Sequence, residues 1–255
     1  MKFSLLTLFP EMFAGPLGCS ILGRARHSGV LEVQIENLRD FAPGRHRQVD
    51  DAPFGGGPGM VMKPDVLDAA LDHVTRERPG HVVHLSPQGR VFDQAMAAEL
   101  SRRDHVVLVC GHYEGIDQRF IDARVDEELS LGDFVLTGGE IPALAVVDAT
   151  ARLLPGVLGD ADSLLQESFQ EGVLDHPHYT RPAGWVAAGV ERRVPPVLLS
   201  GDHGAVARWR RHAALLRTLA RRPDLVDLAG LSRGERRVAQ SLLQALAREG
   251  EDGLA

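Results

Sequence analysis

Apolar and polar positions follow two different periods over the first 150 residues. Residues 2–8, 31–37, 81–85 and 105–110 are short runs rich in Val, Leu, Ile and Phe, the composition of strands. Residues 11–27, 64–78 and 92–102 repeat apolar side chains at helical spacing. The run Val106-Val107-Leu108-Val109 has no polar alternation, which predicts a strand buried on both faces. Strands alternating with helices predict βαβ units and an α/β fold around a mostly parallel sheet. The opening residues 1–10 carry one Lys and a short apolar stretch, lack a small-residue cleavage site and run straight into Pro10-Glu11. They read as the first strand, not as a signal peptide.

Two loops interrupt the rhythm. Residues 40–60 end in Gly55-Gly56-Gly57-Pro58-Gly59, and residues 130–142 contain Gly132, Gly138 and Gly139. Both are longer than a plain connection requires, which marks them as candidate functional loops. In open α/β sheets such loops gather at the carboxyl ends of the strands, where ligands bind. A helix over 141–154 closes the region and Pro155-Gly156 ends it. The expected organisation is a first domain over 1–158, a linker over 159–176 that is polar and turn-rich through 172, and a small helical domain over 177–255. In that last part Val206, Trp209, Ala213, Leu216 and Leu219 or Ala220 recur at helical spacing, opposite arginines. Pro223 breaks the helix. Ser232 and Glu235 stand at capping-box spacing and open a final helix to about residue 248.

Composition narrows the class. The chain has 255 residues, of which 44% are hydrophobic and 25% charged, ordinary for a soluble globular protein. Two cysteines, Cys19 and Cys110, exclude a disulfide scaffold and a four-cysteine zinc site and fit a reducing compartment, hence the cytoplasm. No apolar run approaches the ~18 residues of a membrane span. The net charge of −7 argues against a general nucleic-acid binder. Its distribution does not: residues 181–222 hold nine arginines against two acids, while the remainder holds 19 basic and 33 acidic groups. That asymmetry predicts either an anionic partner for the C-terminal third or a solvated helix face.

The chemistry-bearing segments sort themselves by context. Gly55-x-Gly57-x-Gly59 follows a polar stretch rather than a buried strand and has no Gly-Lys-Ser/Thr after it. It is therefore neither a dinucleotide turn nor a phosphate loop, and reads as a substrate-facing or plain surface loop. The histidines form no metal set: His81 and His84 fall on opposite strand faces, and Cys110-Gly111-His112 and His176-Pro177-His178 lack a second half. Val109 to Asp117 is a buried strand running into Gly111, an aromatic and acids at the mouth of a site. The 130–142 loop sets apolar side chains beside bare glycine backbone, an apolar slot with backbone hydrogen bonds for a flat heterocycle such as adenine. The acids of 167–175, followed by Pro177-His178-Tyr179-Thr180-Arg181-Pro182, lie between an acidic and a basic region, where a bound RNA would pass.

Taken together these segments resemble the TrmD family of bacterial tRNA (guanine-N1)-methyltransferases, SPOUT-class enzymes. The resemblance spans nearly the whole chain. It rests on Leu8-Phe9-Pro10-Glu11-Met12-Phe13, Val49-Asp50-Asp51, residues 55–60, Leu85-Ser86-Pro87-Gln88-Gly89, residues 111–117 and 132–140, Pro155-Gly156-Val157-Leu158-Gly159, and residues 177–182. It implies a SPOUT-type parallel sheet with a C-terminal trefoil knot, a topology that no periodicity argument would propose. It implies a homodimer with active sites at the subunit interface, S-adenosylmethionine as methyl donor, and tRNA as substrate. The target would be N-1 of the guanine immediately 3′ of the anticodon, in tRNAs with a preceding guanine. Carried over by motif, the cofactor pocket is Leu85, Ser86, Pro87, Gly111, Leu131, Gly132, Asp133, Phe134, Val135, Leu136, Gly138, Gly139 and Pro142. Arg152 matches the catalytic arginine and Glu167 the general base, where the family usually has Asp; Asp162 and Glu171 are the alternative carboxylates. Asp50, Gly57, Gly59, Glu114, Asp175, His178 and Arg181 match substrate-binding positions. Some members use Mg²⁺, for which Glu114 offers a carboxylate, and His112 stands where many have Arg. Trp185, Tyr179 or His178 is a candidate for stacking on a splayed base, and Trp209 for core packing. The competing readings are a SPOUT enzyme with another RNA target and, given the departures at 112 and 167, an RNA-binding module that does not catalyse.

Overall fold

The computed structural model describes residues 1–158, 168–169 and 172–240. It consists of two units, Met1–Gly159 and Asp160–Ala255. The first contains β1 (Lys2–Thr7), α1 (Glu11–Gly18), α2 (Ser20–His27), β2 (Glu32–Asn37), β3 (Asp50–Asp51), β4 (Val61–Met62), α3 (Pro64–Thr75), β5 (His81–Val91), α4 (Gln94–Leu100), β6 (His105–Cys110), α5 (Gln118–Arg124), β7 (Glu127–Ser130) and α6 (Glu140–Ala151). Five strands form one sheet in the order β2-β1-β6-β5-β7, and every pairing is parallel. The expected α/β class and parallel sheet are found.

Side-chain alternation along the central strands explains the layers. Phe3, Leu5, Val106, Leu108 and Val83 point to one face, where they pack with Phe13, Leu17, Met96, Leu100, Val146 and Val147. Leu6, Val107, Val109 and Val82 point to the other, against Val66, Leu67, Leu71 and Phe120. Helices thus cover both faces, and β6 is buried at every position, as its unbroken apolar run predicts. At ~25 cal/mol per Å² of apolar surface this two-sided burial is the main favourable term of the fold. Inside it Ser4 Oγ lies 2.9 Å from His105 Nε2, whereas the buried Thr150 Oγ1 has no hydrogen-bond partner among the described residues.

Several elements differ from expectation. The single helix over 11–27 is two helices, because Cys19 is extended (φ −126°, ψ 170°) and Ser20 has φ +54°. The strand β7 and helix α5 have no counterpart in the sequence reading, since each is short and mixed in polarity. β5 continues past Leu85 to Val91, with a register break between Leu85 and Arg90 on β7; residues 86–89 bulge out of the ladder there.

In the second unit a hairpin of β8 (Gly184–Ala187) and β9 (Val190–Arg193) precedes α7 (His203–Arg221). The Asp202 carboxylate accepts from the Ala205 amide and caps α7. The buried stripe of α7 is Ala214, Leu215, Thr218 and Leu219, not Val206, Ala213 and Leu216; Leu216 is 42% exposed. Leu215 and Leu219 pack on Leu231 and Ala239, and that contact selects the stripe. The Ser232–Glu235 capping box forms: each backbone amide donates to the other side chain, at 3.0 and 3.4 Å. The Ser232 bonds and the Arg211 guanidinium hold the Glu235 carboxyl down to about 2. The turn-rich stretch 159–167 and the final helix beyond residue 240 lie outside the described residues.

Candidate functional site

A cavity of about 510 Å³ opens at the carboxyl ends of β5, β6 and β7, the position expected for a ligand site in a parallel sheet. Three loops wall it. The bulge after β5 supplies Leu85, Ser86, Pro87 and Gln88; the turn after β6 supplies residues 111–116; the loop from β7 into α6 supplies Ser130 to Gly132, Phe134 to Gly139 and Pro142. Of the pocket residues inferred by resemblance, all but one line this cavity. The exception is Asp133, whose side chain is exposed and outside the lining.

Close backbone approach builds the floor. The Gly139 amide donates to the Gly111 carbonyl at 3.0 Å. A Cβ at Gly139 would stand 2.6 Å from Cys110 Cα and 3.0 Å from the Gly111 nitrogen, so only hydrogen fits. Gly139→Ala should therefore push the 130–139 loop off the end of β6, at a cost of ~1–3 kcal/mol. The expected result is a lowered melting temperature and at least a tenfold weaker cofactor affinity by calorimetry; unchanged affinity would show that the loop is not held by this contact.

Two acid–histidine pairs, each with one buried member, brace the walls. Glu140, 1% exposed, accepts from Thr7 Oγ1 at 2.6 Å and His112 Nε2 at 2.7 Å. It also sits in the first turn of α6, where the helix dipole favours an anion. A buried carboxylate is tolerable only when so satisfied. His112 thus ties the 111–116 turn to α6 and packs on Phe9 at 4.8 Å. Burial and Glu140 push the Cys110 thiol well up, so it is no nucleophile.

The second pair is His84 Nδ1 and Glu128 Oε1, 2.9 Å apart, both lining the cavity. The sequence reading treats His84 as an ordinary core or loop histidine. The one available signal is a polar residue inside an apolar strand next to the Leu85-Ser86-Pro87 bulge. Burial lowers the His84 pKa, and Glu128 opposes that shift. A base with a folded pKa below its unfolded value of 6.5 binds protons less readily when folded, so stability falls as pH drops below that value. Melting temperatures from about pH 7.5 to 5.5 should decline less steeply in His84→Gln; an equal slope would place the acid sensitivity elsewhere.

The remaining candidates are dispersed. Glu114 stands in the cavity wall, and its amide donates to the Met60 carbonyl at 3.0 Å. Gly59 touches it so closely that a side chain there would run into the Glu114 carboxylate, which joins the glycine-rich loop to the cavity mouth. Asp50, paired with Met62, and Gly57 do not line the cavity. Arg152 is the C-cap of α6. It is also absent from the lining, being about 18 Å along the helix from the cavity end. Asp175, His178 and Arg181 belong to the second unit, where His178 Nε2 donates to Asp175 Oδ2 at 2.8 Å. There a second cavity of about 320 Å³ is lined by His176, His178, Tyr179, Arg181, Trp209 and Arg210 among others. Trp185 is 61% exposed, whereas Trp209 is half-buried, 6.1 Å from Tyr179 by ring centroids. Glu167, with its alternatives Asp162 and Glu171, lies outside the described residues.

The model of the family described as tRNA (Guanine-1)-methyltransferase TrmD matches residues 1–228. A protein of Magnetococcus marinus named tRNA (guanine-N(1)-)-methyltransferase is 62% identical over 95% of this chain and 96% of its own length. One of the same name from Pelotomaculum thermopropionicum is 54% identical over 96% and 98%, and one from Chloroflexus aggregans 51% identical over 100% and 98%.

Proposed function

The chain belongs to the tRNA (guanine-1)-methyltransferase TrmD family, and from that premise we propose that it methylates N-1 of the guanine immediately 3′ of the anticodon in tRNAs with a preceding guanine. The chain is a tRNA (guanine-N1)-methyltransferase, and S-adenosylmethionine is the methyl donor. The observation that carries the reading is the cavity at the ends of β5, β6 and β7. Its bare backbone at Gly111 and Gly139, between Leu85 and Pro87 on one side and Leu131, Leu136 and Pro142 on the other, fits a flat heterocycle. The carboxylates of Glu114 and Glu128 on its wall suit a cationic ligand. Bound S-adenosylmethionine supplies an electrophilic methyl group on a sulfonium. The loop backbone orients the adenosine among the apolar side chains of the lining.

N-1 of guanine carries a proton at neutral pH and is a poor nucleophile. Glu167 takes that proton as the new bond forms. Negative charge grows on the guanine carbonyl oxygen, where Arg152 donates hydrogen bonds that are stronger in the transition state than in the ground state. Glu114 is the carboxylate for Mg²⁺.

The active form is a homodimer, and the enzyme works in the cytoplasm. Arg152 does not reach the cavity of its own chain. The helix α6 is apolar on nearly every side, with Ile141 50% exposed; a second copy would cover that face. The 85–91, 111–116 and 130–139 segments, crowded against one another, are the ones that form the knot. The second unit binds tRNA through the exposed Arg208 and Arg210 and through Arg217. Arg211 is committed to Glu235 at 2.8 Å. Among the described residues no helix is long and apolar enough to cross a membrane.

Transfer of labelled methyl to an unmodified tRNA transcript with guanines at both positions tests the reading. A control transcript lacks the preceding guanine. Transfer to the first alone is expected. Transfer to another base would favour a different RNA target, and binding without transfer would favour a non-catalytic module. Affinity for the transcript should fall steeply with salt, and Arg208→Ala with Arg210→Ala should reduce the log–log slope by about 2. An unchanged slope would make these arginines a solvated face.

A further inference from the structure

The turn that begins the basic unit gathers more ligand chemistry than its sequence suggests. His176-Pro177-His178 provides two imidazoles, one group short of a metal site. The fold adds the third. The Asp175 carboxylate turns back over the segment, with Oδ1 accepting from the His176 amide at 2.7 Å. Its two oxygens then face the two rings: Oδ2 is 2.8 Å from His178 Nε2, and Oδ1 is 3.8 Å from His176 Nε2. One ligand atom from each of the three lies within 4.8 Å of the others.

The state of His176 is what points to a cation. Its Nδ1 lies 3.1 Å from the Pro177 carbonyl, an acceptor, so Nδ1 is the donor of that contact and Nε2 is the nitrogen turned toward a ligand. That arrangement, one ring nitrogen on a backbone carbonyl and the other toward the ligand position, is how metal-ligating histidines are oriented. Nε2 stands 3.8 Å from a carboxylate oxygen of Asp175, a gap that a bound cation would bridge. It is also too long for a hydrogen bond but near the ~3.4 Å that separates two ligands of one tetrahedral zinc. The His176 side chain is only 13% exposed and is held by Trp209, 6.4 Å away by ring centroids. The adjoining cavity of about 320 Å³ leaves room at the ion for water or an anionic ligand.

We propose that Asp175, His176 and His178 bind a borderline transition-metal ion, Zn²⁺ by class, with three protein ligands and an open position toward the cavity. Two imidazoles with one carboxylate favour zinc over Mg²⁺ or Ca²⁺, which prefer all-oxygen shells. On binding, His178 Nε2 gives up the proton it now donates to Asp175, and that proton goes to its own Nδ1 or to solvent. The ion would fix two side chains that the family resemblance assigns to substrate. The proposal goes beyond the tRNA reading and is measured without tRNA.

The test uses the full-length protein, stripped with a chelator and titrated with Zn²⁺ against a chromophoric competitor. The expected result is one ion per chain, with affinity weakened more than about 100-fold by either His176→Asn or His178→Asn and unaffected by His203→Asn. Circular dichroism in chelator confirms that each variant folds. With Co²⁺ in place of Zn²⁺, the wild type should show the intense visible bands of a four-coordinate ion, lost in both variants. Failure to bind a stoichiometric ion would overturn the site, as would binding that both variants retain.

Discussion

Glu167→Gln is expected to slow methyl transfer by about 10²–10⁴-fold while leaving cofactor affinity, folding and oligomeric state unchanged. The amide keeps the shape of the side chain but cannot accept the N-1 proton, so the loss should fall on kcat rather than on KM for tRNA. Glu167→Asp, which restores the residue usual in the family, should recover most of the rate if the carboxylate is the working group. A near-wild-type rate in Glu167→Gln would transfer the role to Asp162 or Glu171.

Arg152→Ala is the second large effect, about 10²–10³-fold in kcat. Arg152 is the C-cap of α6, and circular dichroism with a melting curve separates a lost catalytic group from a lost structural contact. Arg152→Lys should recover only part of the rate, since an ammonium lacks the planar pair of donors suited to a carbonyl oxygen and its neighbouring ring edge. Mixing the two inactive variants offers a further reading. If active sites form between subunits, with Glu167 from one and Arg152 from the other, heterodimers of Glu167→Gln and Arg152→Ala should regain about one intact site in two. No regained activity would place both groups in the same subunit's site.

The parallel sheet was legible because its strands are written in uninterrupted apolar runs. Val106 to Val109 cannot be anything but interior. The glycine-rich loops were legible too, because Gly111, Gly132, Gly138 and Gly139 leave backbone bare at strand ends, and the cavity is built from them. Elements whose stability comes from a partner rather than from their own pattern escaped. β7 is four residues of mixed polarity, and its pairing with β5, on both sides of the bulge, makes it a strand. The break at Cys19 and Ser20 rests on two backbone conformations that a helical apolar period does not encode.

By itself, then, the sequence determined the α/β class, the basic C-terminal third, and the 111–116 and 130–142 walls of the cavity, since these follow from residue type and local spacing; the Leu85-Ser86-Pro87 wall came from the family resemblance. The tertiary structure decided which of those residues meet. It set Asp133 outside the cavity and put His84 and Glu128 in its wall. It committed His112 to the buried Glu140 and Arg211 to Glu235, leaving neither side chain uncommitted for RNA. It folded Asp175 back onto His176 and His178. Such pairings are contacts between positions far apart in the chain or across a tight turn. Their energies depend on burial and distance, and neither exists until the strands and turns have packed.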